Sequence, residues 1–181
     1  MRGAVLAVLL LVPATGCTGE EPTGAQDPPK LGGTLPTQSP PSAPMDELEQ
    51  PVAERLQQQV AGQGLTVDAL DCPEWGGDVP AELTCEGWFD GVPGTVVVNL
   101  SRDKKQSVSF DAVLQDGVIA TKRLVDELVS DGYANVDCGA APAYAAEPGA
   151  TITCAVEKDG AKSFVRATVT DVEGGVTISG L

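Results

Sequence analysis

The chain contains no histidine. That removes Ser-His-Asp and Cys-His catalysis, histidine-ligated zinc and histidine-held haem from the functions open to it. Cationic residues are scarce as well: 11 Lys and Arg stand against 26 Asp and Glu, a formal net charge of −15. Binding to nucleic acid or to anionic headgroups needs Lys and Arg to neutralise phosphate, so neither is expected as a partner. A long apolar run is missing too. The unbroken stretch Ala4–Val12 covers nine residues, against the roughly 20 that a membrane-spanning helix needs. The D-x-[DN]-x-[DN]-G calcium loop and the CxxC zinc spacing are absent, so no metal and no cofactor is expected.

What the chain does have is five cysteines in an uneven arrangement. Cys17 stands alone behind a short leader. Arg2 supplies a positive n-region and Ala4–Val12 an h-region, which together read as a signal peptide over residues 1–16. Ala14-Thr15-Gly16 before Cys17 resembles the lipobox of bacterial lipoproteins. The resemblance implies that the Cys17 thiol carries lipid and that the protein is exported and anchored to the outer face of the cell membrane. The competing reading is an ordinary secretory leader with an incidental cysteine. Residues 17–46 follow as a tether. Pro22, Pro28, Pro29, Pro36, Pro40, Pro41 and Pro44 are interspersed with Gly, Ser, Thr and Gln. Such a stretch buries too little apolar surface to offset its ordering entropy and is expected to be disordered.

The remaining residues, about 135, contain an internal repeat. Leu70-Asp71-Cys72 matches Val136-Asp137-Cys138, and Leu83-Thr84-Cys85 matches Ile152-Thr153-Cys154. Ahead of each first cysteine lies a helical pattern. In the first copy Leu48, Val52, Leu56 and Val60 form one apolar stripe, with Glu54, Arg55, Gln57, Gln58 and Gln59 facing outward. In the second, Ile119, Leu124, Val125, Leu128 and Val129 make the stripe and Gly132 ends it. After each second cysteine come short alternating runs separated by Gly-containing turns, including Asp90–Gly94 and Lys158-Asp159-Gly160. These predict an antiparallel meander. The expected fold class is α+β: two tandem small units, over residues 47–115 and 116–181, each a helix packed on an antiparallel β-meander with one disulfide.

A unit of this size has a marginal core. One disulfide per unit, Cys72–Cys85 and Cys138–Cys154, would add about 3 kcal/mol by restricting the unfolded chain and suits an exported protein. Metal binding by four thiolates is the alternative, disfavoured because the paired cysteines are 13 and 16 residues apart.

The pattern resembles a small domain of unknown function that recurs in actinobacterial envelope lipoproteins and membrane proteins. Leu70-Asp71-Cys72-Pro73 matches its first half, and Pro148–Cys154 with Asp159-Gly160 its second. Gly139 stands where Pro would follow the first cysteine of the second copy, and Glu82 stands near the place of a Gly in the first. The resemblance spans Gln50–Leu181 and brings no established activity.

Candidate binding residues lie beside the first disulfide, where the copies diverge. Loop-borne Trp75 offers a stacking platform for a glycan or peptide, and Glu74 and Asp78 offer negative charge. Trp88 reads as core packing. Asp71, Glu82 and Glu86 complete an acidic cluster whose bland reading is solvated loop charge. The expected function is that of a surface-tethered, non-enzymatic binding lipoprotein. Its partners would be the membrane, through the N-terminal lipid, and a cell-wall or envelope-protein ligand. A structural or chaperone-like envelope lipoprotein is the alternative, and a carboxylate-dependent hydrolase ranks below both.

Overall fold

The computed structural model describes residues 28–36, 39–42 and 44–181. The leader and Cys17 lie outside the described residues.

The first unit opens with α1, Glu49–Val60. Val52, Leu56 and Val60 are buried, as their spacing requires. A short 3₁₀ turn, Ala61–Gln63, follows, and the chain is stopped by Gly64 in the left-handed region at φ 78°. Then come β1 (Val67–Asp71), β2 (Ala81–Phe89), β3 (Val92–Arg102) and β4 (Val108–Asp116), paired antiparallel in that order. One face of this sheet lies under α1: Phe89, Val96, Val98, Leu100 and Ala112 pack with Val52 and Leu56. Full burial of a side chain such as Leu56 or Phe89 is worth about 1.5–3 kcal/mol.

The turn after β2 is tighter than expected. Asp90 and Gly91, at φ 50° and 79°, form a two-residue hairpin loop, with Phe89 opposite Val92. Pro93 and Gly94 therefore belong to β3 and not to the turn. A proline is tolerated there because β4 pairs with β3 only as far as Thr95, so no neighbour on that side asks for the missing N–H.

The second unit repeats the plan. α2 (Thr121–Ser130) precedes β6 (Ala134–Asp137), β8 (Thr151–Lys158), β9 (Ala161–Val169) and β10 (Val176–Gly180), paired in the order β6-β8-β9-β10. Leu124 and Leu128 of α2 pack on Ile152, Val156, Val165 and Ala167. Both units are thus a helix on a four-stranded antiparallel sheet with a disulfide. In each, the strand carrying the first cysteine leaves the sheet one residue before it. Asp71 pairs with Glu86 and Asp137 with Ala155, and the bonds Cys72–Cys85 and Cys138–Cys154 close the next position.

Between the units lies an element the repeat did not announce. β5 (Val118–Ala120) pairs antiparallel with β7 (Ala143–Ala145). Strand alternation turns this ribbon's two faces to two different cores. Val118, Ala120 and Ala143 pack with the first core, and Ile119 and Tyr144 with the second. The expected place of Ile119 on the helix stripe is corrected here: it precedes α2, and Val129 at the other end of that stripe is 53% exposed. The units are fused through a shared ribbon.

Within the stretch read as a tether, one residue is paired to the second sheet. Gly32 forms an antiparallel bridge to Thr153 on β8. β6 ends before it reaches Thr153, leaving backbone groups of that edge open, and such groups require partners.

Candidate functional site

The loop from Cys72 to Pro80 connects β1 to β2 and carries the expected binding residues. Its near end is fixed by the Cys72–Cys85 bond. Trp75 is half-buried and packs against the first core, while its Nε1–H donates to the backbone carbonyl of Asp78 at 2.8 Å. That bond closes the loop on itself and holds the ring in one orientation. Glu74, next to Trp75 in the chain, and Asp78, whose carbonyl accepts the Nε1–H, are exposed. The loop thus holds an aromatic ring packed on the core and carries two solvated carboxylates. It is suited to stacking and charge attraction.

The carboxylates Asp71, Glu82 and Glu86 are also exposed. Glu86 lies with Asp116, Thr84 and Thr95 around an open hollow of about 380 Å³ beside β2 and β3. Trp88 is 5% exposed, as its packing role requires, and it sits across from Ala69 and Pro93. Its Nε1–H has no hydrogen-bond partner. Among the described residues there is no group of three or more metal-ligating side chains. Among them, too, no helix is long and apolar enough to cross a membrane.

Three positioning residues escaped the sequence reading. Glu49 is the one buried charged side chain in the core of the described residues, at 8% exposure. Its Oε1 accepts the Cys72 backbone N–H and its Oε2 the Asp46 backbone N–H, both at 2.8 Å. Asp46 Oδ1 in turn accepts the N–H groups of Leu48 and Glu49. This is a reciprocal capping box, and the Asp46-x-x-Glu49 spacing was its available signal. It ties the start of α1 to the disulfide beneath the Trp75 loop. Gln57, expected to face outward, is half-buried. It clamps the backbone leading into β1, with Nε2 donating to the Leu65 carbonyl at 3.0 Å and Oε1 accepting the Val67 N–H at 2.8 Å.

The third is Tyr144 in β7, 3% exposed, whose hydroxyl donates to the Cys138 carbonyl at 2.7 Å. Burial raises its pKa above the ordinary tyrosine value. The Gly33 backbone amide opposes that rise, and the charge of Asp137 adds to it. Tyr144 therefore does for the second disulfide what Glu49 does for the first: each ties the backbone of a first cysteine to a neighbouring element.

Residues 100–174 match the family described as Domain of unknown function (DUF4333). The chain carries a DUF4333-like domain. The match enters near the end of β3, takes in β4, the ribbon, α2 and the strands through β9, and stops before β10. α1, β1 and β2 fall outside it, so the doubling of the unit rests on the two matching sheets and their disulfides. No curated protein and no solved structure matches the chain. Neither the fold nor the DUF4333-like domain brings a known activity.

Proposed function

We propose that this protein is an exported, lipid-anchored, non-enzymatic interaction protein of the bacterial envelope. Cys17 holds it to the membrane, and the Trp75 loop meets a positively charged cell-wall or envelope-protein ligand. The address is supported by the leader, the small residues before Cys17 and two disulfides, which persist in oxidising compartments. The binding role is supported above all by the Trp75–Asp78 bond. A half-exposed tryptophan immobilised beside two free carboxylates pays little entropy when it meets a ligand. The net charge of −15 favours a cationic partner and a salt-sensitive encounter.

The test uses the full chain as bait against solubilised envelope fractions at low and high salt. Trp75→Ala and the double variant Glu74→Ala/Asp78→Ala are compared with wild type, with circular dichroism confirming each fold. Capture should fall about tenfold or more for Trp75→Ala, the usual loss for an aromatic anchor. It should weaken with salt in the wild type. Equal capture by all three proteins would exclude the loop as the binding surface.

A further inference from the structure

The tether touches the second unit at a place built to receive it. Gly32 N–H donates to the Thr153 carbonyl at 2.8 Å and Thr153 N–H donates back to the Gly32 carbonyl at 3.1 Å. Gly32 has φ +92°, and a Cβ there would stand 2.6 Å from Tyr144 Oη. A Cβ on Gly33 would stand 3.0 Å from Ile152 Cγ1 and 3.1 Å from Tyr144 Cδ1. From the other side, a Cβ on Gly139 would lie 3.1 Å from Gly32 Cα. Three glycines thus let two backbones close over one tyrosine ring. Beyond the bridge, Thr34, Leu35 and Pro36 share the wall of a hollow of about 410 Å³ with Pro93 of the first unit and Ala145 and Glu147 of the second. The same nine-residue stretch, residues 28–36, therefore meets both units.

We propose that Leu31–Thr34 is a strap that fastens the tether to the second unit. It makes the second unit the first folded part met from the anchored end. This order rests on the anchoring of Cys17 proposed above; the fastening itself does not. The strap shortens the free chain. At about 3.5 Å per residue, full extension from Cys17 reaches about 110 Å to Glu49, where α1 begins, but only about 50 Å to Gly32. Fastened, the strap restricts the protein to a shell close to the bilayer. Released, it doubles the reach.

Lys30 makes the strap testable without a label, being the only Lys or Arg between Arg2 and Arg55. Trypsin must hold several residues on either side of its target in extended form, so docked Gly32 and Gly33 protect the bond after Lys30. The measurement is the cleavage rate at Lys30 in the full chain, for wild type, Gly32→Val and Gly33→Val. Each rate is divided by that of a synthetic peptide of residues 26–36 carrying the same substitution. Wild type should be protected roughly tenfold or more relative to its peptide. Both variants should approach the peptide rate while cleavage after Arg55 and Lys122 stays slow, which reports intact units. Wild-type cleavage at the peptide rate overturns the strap. Protection that survives both substitutions also overturns it. The mass of the N-terminal peptide reports the lipid separately, so an unlipidated Cys17 would refute the anchoring and leave the strap to stand or fall on the cleavage rates.

Discussion

Replacing Glu49 should cost the first unit far more than its place at the edge of α1 suggests. Its carboxylate serves two backbone donors at 2.8 Å, one of them the N–H of disulfide-bonded Cys72. Hydrogen bonds to a charged group are worth about 1.5–3 kcal/mol, and a buried donor left unpaired costs its full desolvation. Loss of a helix cap adds about 1 kcal/mol, part of which is already counted in the Asp46 bond. Asp46 is exposed, so its N–H can turn to water and the Cys72 bond carries most of the loss; Glu49→Ala should destabilise by about 2–3 kcal/mol. Glu49→Gln keeps one acceptor but turns an amide N–H toward the other donor, and should cost about 1–2 kcal/mol. In a unit of this size each kcal/mol moves the melting temperature by about 4–8 °C. Both tryptophans lie in the first unit, so urea unfolding followed by tryptophan fluorescence reads the right place. Glu47→Ala, exposed on the same turn, is the control and should stay within about 0.5 kcal/mol of wild type. A Glu49→Ala protein as stable as that control would show that the carboxylate does not hold the first unit together.

Two further outcomes follow from the junction and from Tyr144. Gly117 has φ +92°, and a Cβ there would stand 2.7 Å from Gly94 Cα. Its backbone bonds both Val172 and Ala146, so Gly117→Ala should cost about 3 kcal/mol and shift the unfolding of both units, read by tryptophan fluorescence for the first and near-ultraviolet dichroism of tyrosine for the second. Tyr144 is an acid whose folded pKa is raised. Below the unfolded value near 10 it is neutral in both states, and above it only the unfolded chain ionises. Stability should hold to about pH 10 and then fall as pH rises toward the folded pKa. Tyr144→Phe should lose about 1 kcal/mol at neutral pH, with the Cys138 carbonyl bond, and show less of the alkaline decline; an unchanged alkaline slope would count against the assignment.

The fold was legible where local chemistry and global pairing agree. Asp90-Gly91 and Asp159-Gly160 marked the places of two turns, although the first is shorter than the Asp90–Gly94 stretch expected. The four-residue recurrence of Val52, Leu56 and Val60 demanded one helix face. The repeated Asp-Cys and Thr-Cys frames marked corresponding strand positions. The ribbon of β5 and β7 was not legible. Three residues each of Val-Ile-Ala and Ala-Tyr-Ala carry no period long enough to separate strand from helix, so Ile119 was absorbed into the stripe of α2. The bridge at Gly32 was hidden for a related reason. Its affinity for the sheet lies in backbone groups and in the lack of a side chain, and composition registers that only as linker. At the candidate site, Trp75 was visible as a residue that the second copy lacks, and Glu74 and Asp78 as part of the acidic cluster beside the first disulfide. Their support from Glu49 was not, because the bond to Cys72 spans 23 residues.

The measurement that bears most directly on a doubled, disulfide-stapled, anchored protein is a peptide map of the non-reduced chain made in an exporting bacterial host. Cleavage after Glu74, Glu82 and Glu147 separates each cysteine from its partner. The expected fragments are joined as Cys72–Cys85 and Cys138–Cys154, together with an N-terminal peptide that begins at Cys17 and carries acyl mass. Free thiols at Cys72 or Cys138, crossed pairings between the units, or an unmodified Cys17 still attached to its leader would contradict it.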